Sequence, residues 1–368
     1  MPCPLPVVLT VNRSRARSCL GTVEVRWLGV GNSAPLAFGV ITQALVITVG
    51  TCDGVHRGHA ALVARAREIA SAMQGRVLAL VLDPHPLTVL RPEAAPARLS
   101  TFAQRRVWLH EAGADLVERI DPAGGVLALS PEAFVDRVIA GYGGLGQVRA
   151  WVEGPDFRFG KARAGDNALL AHLGAKLGFS AQVIEHMGVA LSDQKIVPCR
   201  SDTIRWLLGH GRVFDAAGVL GRWYELPGTV VPGDRRGRAI GVPTANVRTE
   251  VAPPVPGVYA AFARLDDARV FVAAVNVGPR PTFDRPATIE AHLIGASATQ
   301  PDQPWRAIEG LEEYGWGVSI QFLSYLRDTM RFSTVAGLRE QLGRDIQRAQ
   351  RSASLLAPSP TPTCGPRP

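Results

Sequence analysis

The aliphatic run Ala44 to Val49 passes without a break into Gly50-Thr51-Cys52-Asp53-Gly54-Val55-His56-Arg57-Gly58-His59, and a helical period follows through Leu62, Ala66, Ile69 and Met73. A strand that is nearly all aliphatic suits the middle of a sheet covered on both faces. A glycine-rich turn between such a strand and a helix is where doubly wound sheets hold nucleotides. Val77 to Leu82 supplies the next strand and completes a βαβ unit. The same alternation continues, with helices expected at Phe102 to Glu111, at Pro131 to Ala140 behind Ser130 as N-cap, and at Asn167 to Leu177. Strands are expected between them near Asp115 to Glu118, Val148 to Val152 and Gln182 to His186. The pattern predicts an α/β class with a parallel, doubly wound sheet.

From Tyr224 the pattern changes. Tyr224 to Val231, Gly257 to Arg264, Val270 to Val277, Thr288 to Ile294 and Val318 to Leu323 are β-rich and separated by Pro, Gly and Asp clusters. They predict a small antiparallel β-barrel, closed by a C-terminal helix with Leu338, Leu342 and Ile346 on one face. A chain of 368 residues has room for two such cores. The expected organisation is a disordered extension over 1–22, an α/β domain over 23–205, a linker helix over 206–222, the barrel domain over 223–353 and a disordered tail over 354–368, rich in Ser, Pro and Thr. An upstream-misassigned start codon explains the first segment equally well.

The formal net charge of +8 admits nucleic acid, an anionic membrane or small polyanionic substrates as partners. The excess sits in short clusters, Arg13, Arg15 and Arg17, then Arg235, Arg236 and Arg238, and forms no long basic helix stripe. The five cysteines are scattered without a Cys-x-x-Cys pair, which argues against a disulfide framework or a zinc site. The apolar stretches fall short of the roughly 20 residues that cross a bilayer. The expectation is a cytoplasmic protein, monomeric or a weak homo-oligomer, with small-molecule partners and neither nucleic acid nor membrane among them.

Within the first loop, Gly50, Gly54 and Gly58 let the backbone approach an anion, and the helix start offers unpaired N–H groups. His56 and His59 could both face that anion; alternatively they form a satisfied pair at a helix start. This run resembles the Gly-x-Phe-Asp-Gly-x-His-x-Gly-His motif of the bacterial bifunctional riboflavin kinase and FAD synthetase family, with Cys52 where the family has Phe and Thr51 where Asn is common. Asp83-Pro84-His85-Pro86 resembles its Pro-His-Pro segment, and Gly154-Pro155-Asp156-Phe157-Arg158-Phe159-Gly160 its Asp-Phe-x-Phe-Gly loop. Arg200-Ser201-Asp202-Thr203-Ile204-Arg205 stands where the family has Ser-Ser-Thr-x-Ile-Arg. Asp202 there puts a carboxylate where a triphosphate should pass, unless it serves the helix dipole with its side chain turned away.

In the barrel half, Gly237-Arg238-Ala239-Ile240-Gly241-Val242-Pro243-Thr244-Ala245-Asn246 resembles the Gly-Arg-x-x-Gly-Phe-Pro-Thr-Ala-Asn motif of riboflavin kinases. Asn276-Val277-Gly278, Pro281-Thr282-Phe283 and Ile289-Glu290-Ala291-His292-Leu293 follow in the family's order. The family's turn after His-Leu is here lengthened by Gly295 to Glu313, which includes Trp305.

The resemblance implies a Rossmann-like nucleotidyltransferase domain followed by a riboflavin kinase barrel. It implies ATP-dependent phosphorylation of riboflavin to FMN, then adenylylation of FMN to FAD with release of pyrophosphate, with Mg2+ as cofactor. His56 and His59 would act on the transferred phosphoryl group, with Gly50, Asp53, Gly54, Gly58, Ser201 and Arg205 holding nucleotide and Asp156 and Phe157 holding flavin. Glu290 would be the kinase's general base, Gly241, Pro243, Thr244 and Asn246 its nucleotide site, and Thr244 and Asn246 its metal ligands. Two alternatives stand beside this reading: a riboflavin kinase whose first domain binds without catalysis, favoured by Thr51, Cys52, Arg200 and Asp202, and a non-enzymatic nucleic-acid binder.

Overall fold

The computed structural model describes residues 43–233, 237, 241–278, 288–296 and 308–356. The extension over 1–22, the three loop arginines Arg235, Arg236 and Arg238, Pro281-Thr282-Phe283 and Trp305 lie outside these residues.

The first half is a parallel sheet of order β3-β2-β1-β4-β5. Its strands are β1 (Ala44–Gly50), β2 (Arg76–Leu82), β3 (Leu116–Ile120), β4 (Gln147–Glu153) and β5 (Ser180–Val183). The covering helices are α1 (Arg57–Ala72), α2 (Leu87–Leu90), α3 (Phe102–Glu111), α4 (Pro131–Tyr142) and α5 (Asn167–Leu177). Leu45, Val46, Ile47, Leu78, Ala79 and Leu80 have no exposed surface, so β1 and β2 are covered on both faces, as their aliphatic runs require. At roughly 1.5–3 kcal/mol for each large aliphatic side chain removed from water, these two strands anchor the domain. Thr101 caps α3 with its hydroxyl on Gln104 N at 3.1 Å, and the Gln104 side chain returns the bond to Thr101 N at 3.0 Å, a reciprocal capping box.

The expected strand Gln182 to His186 forms earlier and stops sooner, because its partner β4 ends at Glu153, which pairs with Val183. Two further strands, β6 (Gly188–Ala190) and β7 (Ile196–Pro198), make a hairpin of three residues a side, too short to show alternation in sequence.

Helices α6 (Ser201–Gly209) and α7 (Val213–Leu220) then lead into a closed barrel of order β10-β11-β12-β9-β8-β13. Its antiparallel strands are β8 (Tyr224–Val231), β9 (Ala245–Arg248), β10 (Gly257–Leu265), β11 (Val270–Val277), β12 (Ile289–Leu293) and β13 (Gly317–Arg327). The segment around Thr244 falls between the expected strands Tyr224 to Val231 and Gly257 to Arg264, and the structure draws Ala245–Arg248 into the barrel as β9. One hydrophobic core runs from Leu99, Ile204, Leu207 and Leu220 through to Tyr224, Tyr259 and Phe322, so α6 and α7 share their core with the barrel.

Helix α8 (Val335–Leu356) closes the barrel, as expected. Gln341, Asp345, Ala349 and Ala353 are its buried residues, and Asp345 pairs with Arg327 at 2.6 Å. Leu338, Leu342 and Ile346 share the expected face and line a cavity beside the barrel. The buried Asp345 is tolerated because Arg327, part-buried at the end of β13, pairs with its carboxylate.

Candidate active sites

In the sheet, β1 pairs with β2 on one side and with β4 on the other, so the chain reverses direction of winding at β1. A crevice opens at that switch point, beyond the C-terminal ends of β1 and β4. It has a volume of about 960 Å³ and is lined by Gly50, Cys52, His56, Gly58, His59, His85, Glu153, Asp156, Phe157, Ser201 and Arg205, among others. Asp53 and Gly54 do not line it: they hold the loop in place from behind. The Asp53 carboxylate accepts from Leu99 N at 3.0 Å and from Ser100 N and Oγ at 3.0 Å, and pairs with Arg205. Gly54 has φ of +83°, a conformation that costs other residues, and its N–H donates to Ser100 Oγ at 2.8 Å.

His56 is the N-cap of α1, and its Nδ1 accepts from His59 N at 3.4 Å. The two imidazoles stack with centroids 3.8 Å apart. A side chain on Gly58 would come within 3.1 Å of the His56 ring and of Cys199 O, so only glycine leaves His56 where it is. Burial, with help from the neighbouring His59 and Arg222, lowers the His56 pKa far below its ordinary value. Burial also lowers His59 to about 4, against the opposing pull of Asp53. Both imidazoles are therefore neutral at pH 7, and an accepting Nδ1 on His56 leaves Nε2–H as its donor. His59 Nδ1 is buried without a hydrogen-bond partner among the described residues, which suits a group that meets a ligand.

At the other wall, Ser201 Oγ donates to Asp53 O at 2.7 Å and Arg205 Nε to Ala97 O at 2.7 Å, tying α6 to the glycine loop. The Asp202 side chain is 92% exposed at the rim of the same crevice, 3.4 Å from Arg205. Arg200 pairs with Asp156, and His186 lies 3.1 Å from the same carboxylate. Phe157 stacks on buried Phe159 at 5.4 Å, giving the crevice one aromatic wall.

The sequence reading passed over Glu153, whose carboxyl is buried at the floor of the crevice. Its Oε1 accepts from Val49 N and from Trp151 Nε1, both at 2.7 Å. Burial raises its pKa well above the ordinary carboxyl range, outweighing those two hydrogen bonds. Beside it, burial and the same glutamate push the Cys52 thiol up to about 12, so Cys52 serves as a small apolar contact.

The second crevice, of about 500 Å³, opens on the barrel between β9, β11, β12 and α8. Strand register places Asn246, Glu290 and Asn276 in one cross-strand row, with Glu290 opposite both asparagines. Asn276 Nδ2 donates to Glu290 Oε2 at 3.4 Å. Ile289, Ala291 and Leu293 point into the core, which leaves Glu290 and His292 on the crevice side, as alternation along β12 demands. Thr244 lies in the same lining. Gly241 and Pro243 are not in the lining and shape the turn that delivers Thr244: Gly241 has φ of +78°, and Pro243 O accepts from His292 Nδ1 at 2.8 Å. Burial lowers the His292 pKa against that hydrogen bond. The Thr244 hydroxyl, the Asn246 amide oxygen and the Glu290 carboxylate form a set of hard oxygen donors, the chemistry that Mg2+ favours.

Two family models cover these two halves. One described as FAD synthetase matches residues 40–197, and one described as riboflavin kinase matches residues 220–353. The bifunctional riboflavin kinase/FMN adenylyltransferase of Escherichia coli (strain K12) is 30% identical over 323 residues, 86% of this chain and 95% of that protein. The proteins of the same name from Pseudomonas fluorescens and Bacillus subtilis (strain 168) are 32% and 31% identical, with 94% and 93% of their lengths covered.

The chain belongs to the bifunctional riboflavin kinase/FMN adenylyltransferase family.

The crystal structure of a macrolide-efflux protein from Streptococcus pneumoniae shares the fold of this family member, with a TM-score of 0.69 at 24% identity over 85% of this chain and 96% of that one. Both halves of the family's architecture are present, and this favours the bifunctional reading over a kinase with a merely binding first domain. Among the described residues, no helix is long and apolar enough to cross a membrane.

Proposed function

We propose that the two crevices carry the two successive reactions of the family, phosphorylation of riboflavin in the barrel and adenylylation of FMN in the sheet domain, and that the division between them falls in 206–222. The observation that carries this reading is the pairing of motif with geometry. Stacked, neutral His56 and His59 stand at a sheet switch point, and Glu290 stands in a row of oxygen-bearing side chains on the barrel.

In the sheet domain, a phosphate oxygen of FMN attacks the α-phosphorus of ATP and pyrophosphate leaves. No side chain needs to form a covalent bond. His56 and His59 donate hydrogen bonds to the phosphoryl oxygens as charge builds on them. Gly50 and Gly58 bring backbone close to the phosphates, and Ser201 and Arg205 support them from α6. Asp156 and Phe157 face the flavin, Phe157 by stacking and Asp156 through polar contact once Arg200 is displaced from it.

In the barrel, the 5′-hydroxyl of riboflavin attacks the γ-phosphorus of ATP and ADP leaves. Glu290 accepts the hydroxyl proton, and Asn276 orients its carboxylate. Thr244 and Asn246 would hold Mg2+ against the phosphates, where the ion neutralises charge. Leu338, Leu342 and Ile346 offer an apolar wall of the kind a flavin ring requires. The partners are accordingly small molecules, and a monomer or weak homo-oligomer in the cytoplasm, where ATP is supplied, suffices for both steps.

Purified protein incubated with riboflavin, ATP and Mg2+ should yield FMN and then FAD by chromatography, and FAD directly when started from FMN. FMN without FAD from either start would refute the assignment of the first crevice.

A further inference from the structure

Arg222 lies outside both motif sets, in the three residues between α7 and the first barrel strand. Its guanidinium nevertheless reaches into the sheet domain. One terminal nitrogen donates to Val55 O at 2.9 Å and to Leu220 O at 3.3 Å, and the other donates to Gly54 O. The charge stacks over the Trp108 ring of α3, 3.5 Å from its centroid. Gln104 of the same helix reaches the barrel as well, its Nε2 donating to Glu225 O at 3.4 Å.

The loop that Arg222 grips needs gripping. Cys52, Gly54 and Val55 all have positive φ, of 46°, 83° and 38°. For a β-branched residue such as Val55 that is a strained conformation, which persists only when its surroundings hold it. From the sheet side the loop is tied by Asp53 to Leu99 and Ser100. Its outer carbonyls, Gly54 O and Val55 O, are tied by Arg222. The Val55 carbonyl shares a rigid peptide plane with the N–H of His56, so fixing the one fixes the start of the histidine that caps α1.

We propose that Arg222 is a positioning residue for FMN adenylylation: the polypeptide that enters the kinase barrel sets the geometry of His56 and His59 in the other domain. The inference rests on the assignment of the histidine crevice to adenylyl transfer. A guanidinium suits the task better than an ammonium, because its planar fork serves two adjacent carbonyls while its face stacks on an indole. Its charge also acts on both imidazoles and helps to keep them neutral.

The test compares full-length wild type, Arg222→Lys and Arg222→Met, each assayed for FMN formation from riboflavin and for FAD formation from FMN in one preparation. Loss of position should lower kcat for FAD formation about 10- to 100-fold, with KM for ATP and FMN moved much less. FMN formation should stay within about twofold, and it reports that the chain is folded. Arg222→Lys should remain impaired although it keeps the charge, and added guanidinium ion should restore part of the activity of Arg222→Met. Unchanged FAD formation in Arg222→Met, or a parallel loss of both activities in both variants, overturns the proposal. Wild-type protein that forms FMN but no FAD would instead bring down the assignment of the crevice, and this inference with it.

Discussion

The two candidate sites hold their polar side chains in opposite ways. In the sheet domain the reactive loop is irregular and strained, and it is held by side chains from well separated stretches: Ser100, Arg205 and Arg222 all bond to Asp53-Gly54-Val55 or its carboxylate. In the barrel, strand register sets the places of Asn246, Glu290 and Asn276, and among the described residues one long hydrogen bond of 3.4 Å joins two of them. A site made by register is set wherever the barrel closes. A site made by clamps is sensitive to residues that never touch substrate.

The contrast can be broken from either side. Removing the proton acceptor of the barrel should give the largest effect: Glu290→Gln is isosteric, keeps an oxygen for Asn276, and should lower kcat for FMN formation about 10²- to 10⁴-fold, with FAD formation from FMN unchanged. Steady-state rates of both half-reactions decide this, and an equal loss of both would mean that Glu290 acts on the fold. His59→Ala should reduce FAD formation about 10²- to 10³-fold, the scale for loss of one donor to developing phosphoryl charge, and leave FMN formation alone. If His59→Ala retained its rate with a raised KM for ATP, the histidine would bind nucleotide without acting in the transition state.

Most of the fold was legible before any coordinates, because long segments with an unambiguous period leave little choice. Phe102 to Glu111, Asn167 to Leu177, Tyr224 to Val231 and Val270 to Val277 form with the bounds read from sequence. The misses have physical causes. Strands β6, β7 and β9 span three or four residues, below the length at which alternation can be seen, and β9 sits behind a Gly-Pro segment that reads as a turn. The burial of Asp345 on α8 went unread because it depends on Arg327, which reaches it from β13. In the candidate sites, motif spacing placed His56, His59, Glu290, Thr244 and Asn246 in the two crevices together with their neighbours. It could not separate residues that face the crevice from residues that hold it. Asp53 and Gly54 turned out to hold the loop, and Arg222 carries no motif signal, since the loop carbonyls it grips lie 167 and 168 positions away.

Glu153 sharpens the comparison at the smallest scale, because the clamped site carries a cost that the register-built site does not. At the end of a strand a glutamate ordinarily reaches water; here β4 lies in the middle of the sheet, and the carboxyl is only 3% exposed. Its pKa in the fold is raised well above the 4.5 of an open chain, so the native state keeps a proton that the unfolded chain gives up. Stability should therefore be unaffected by this group below about pH 4.5 and should fall as pH rises beyond it, by about 1.4 kcal/mol per unit until the folded pKa is passed. Glu153→Gln keeps an oxygen to accept from Val49 N and Trp151 Nε1, and it does not titrate. Urea unfolding between pH 4.5 and 8.5 should give matching curves for the two proteins at the acid end. Toward the alkaline end Glu153→Gln should be the more stable, by a margin set by how far the folded pKa lies above the open-chain value. Curves that stay parallel across that range would mean that Glu153 ionises in the fold, and that the floor of the crevice is negatively charged where it meets a polyphosphate.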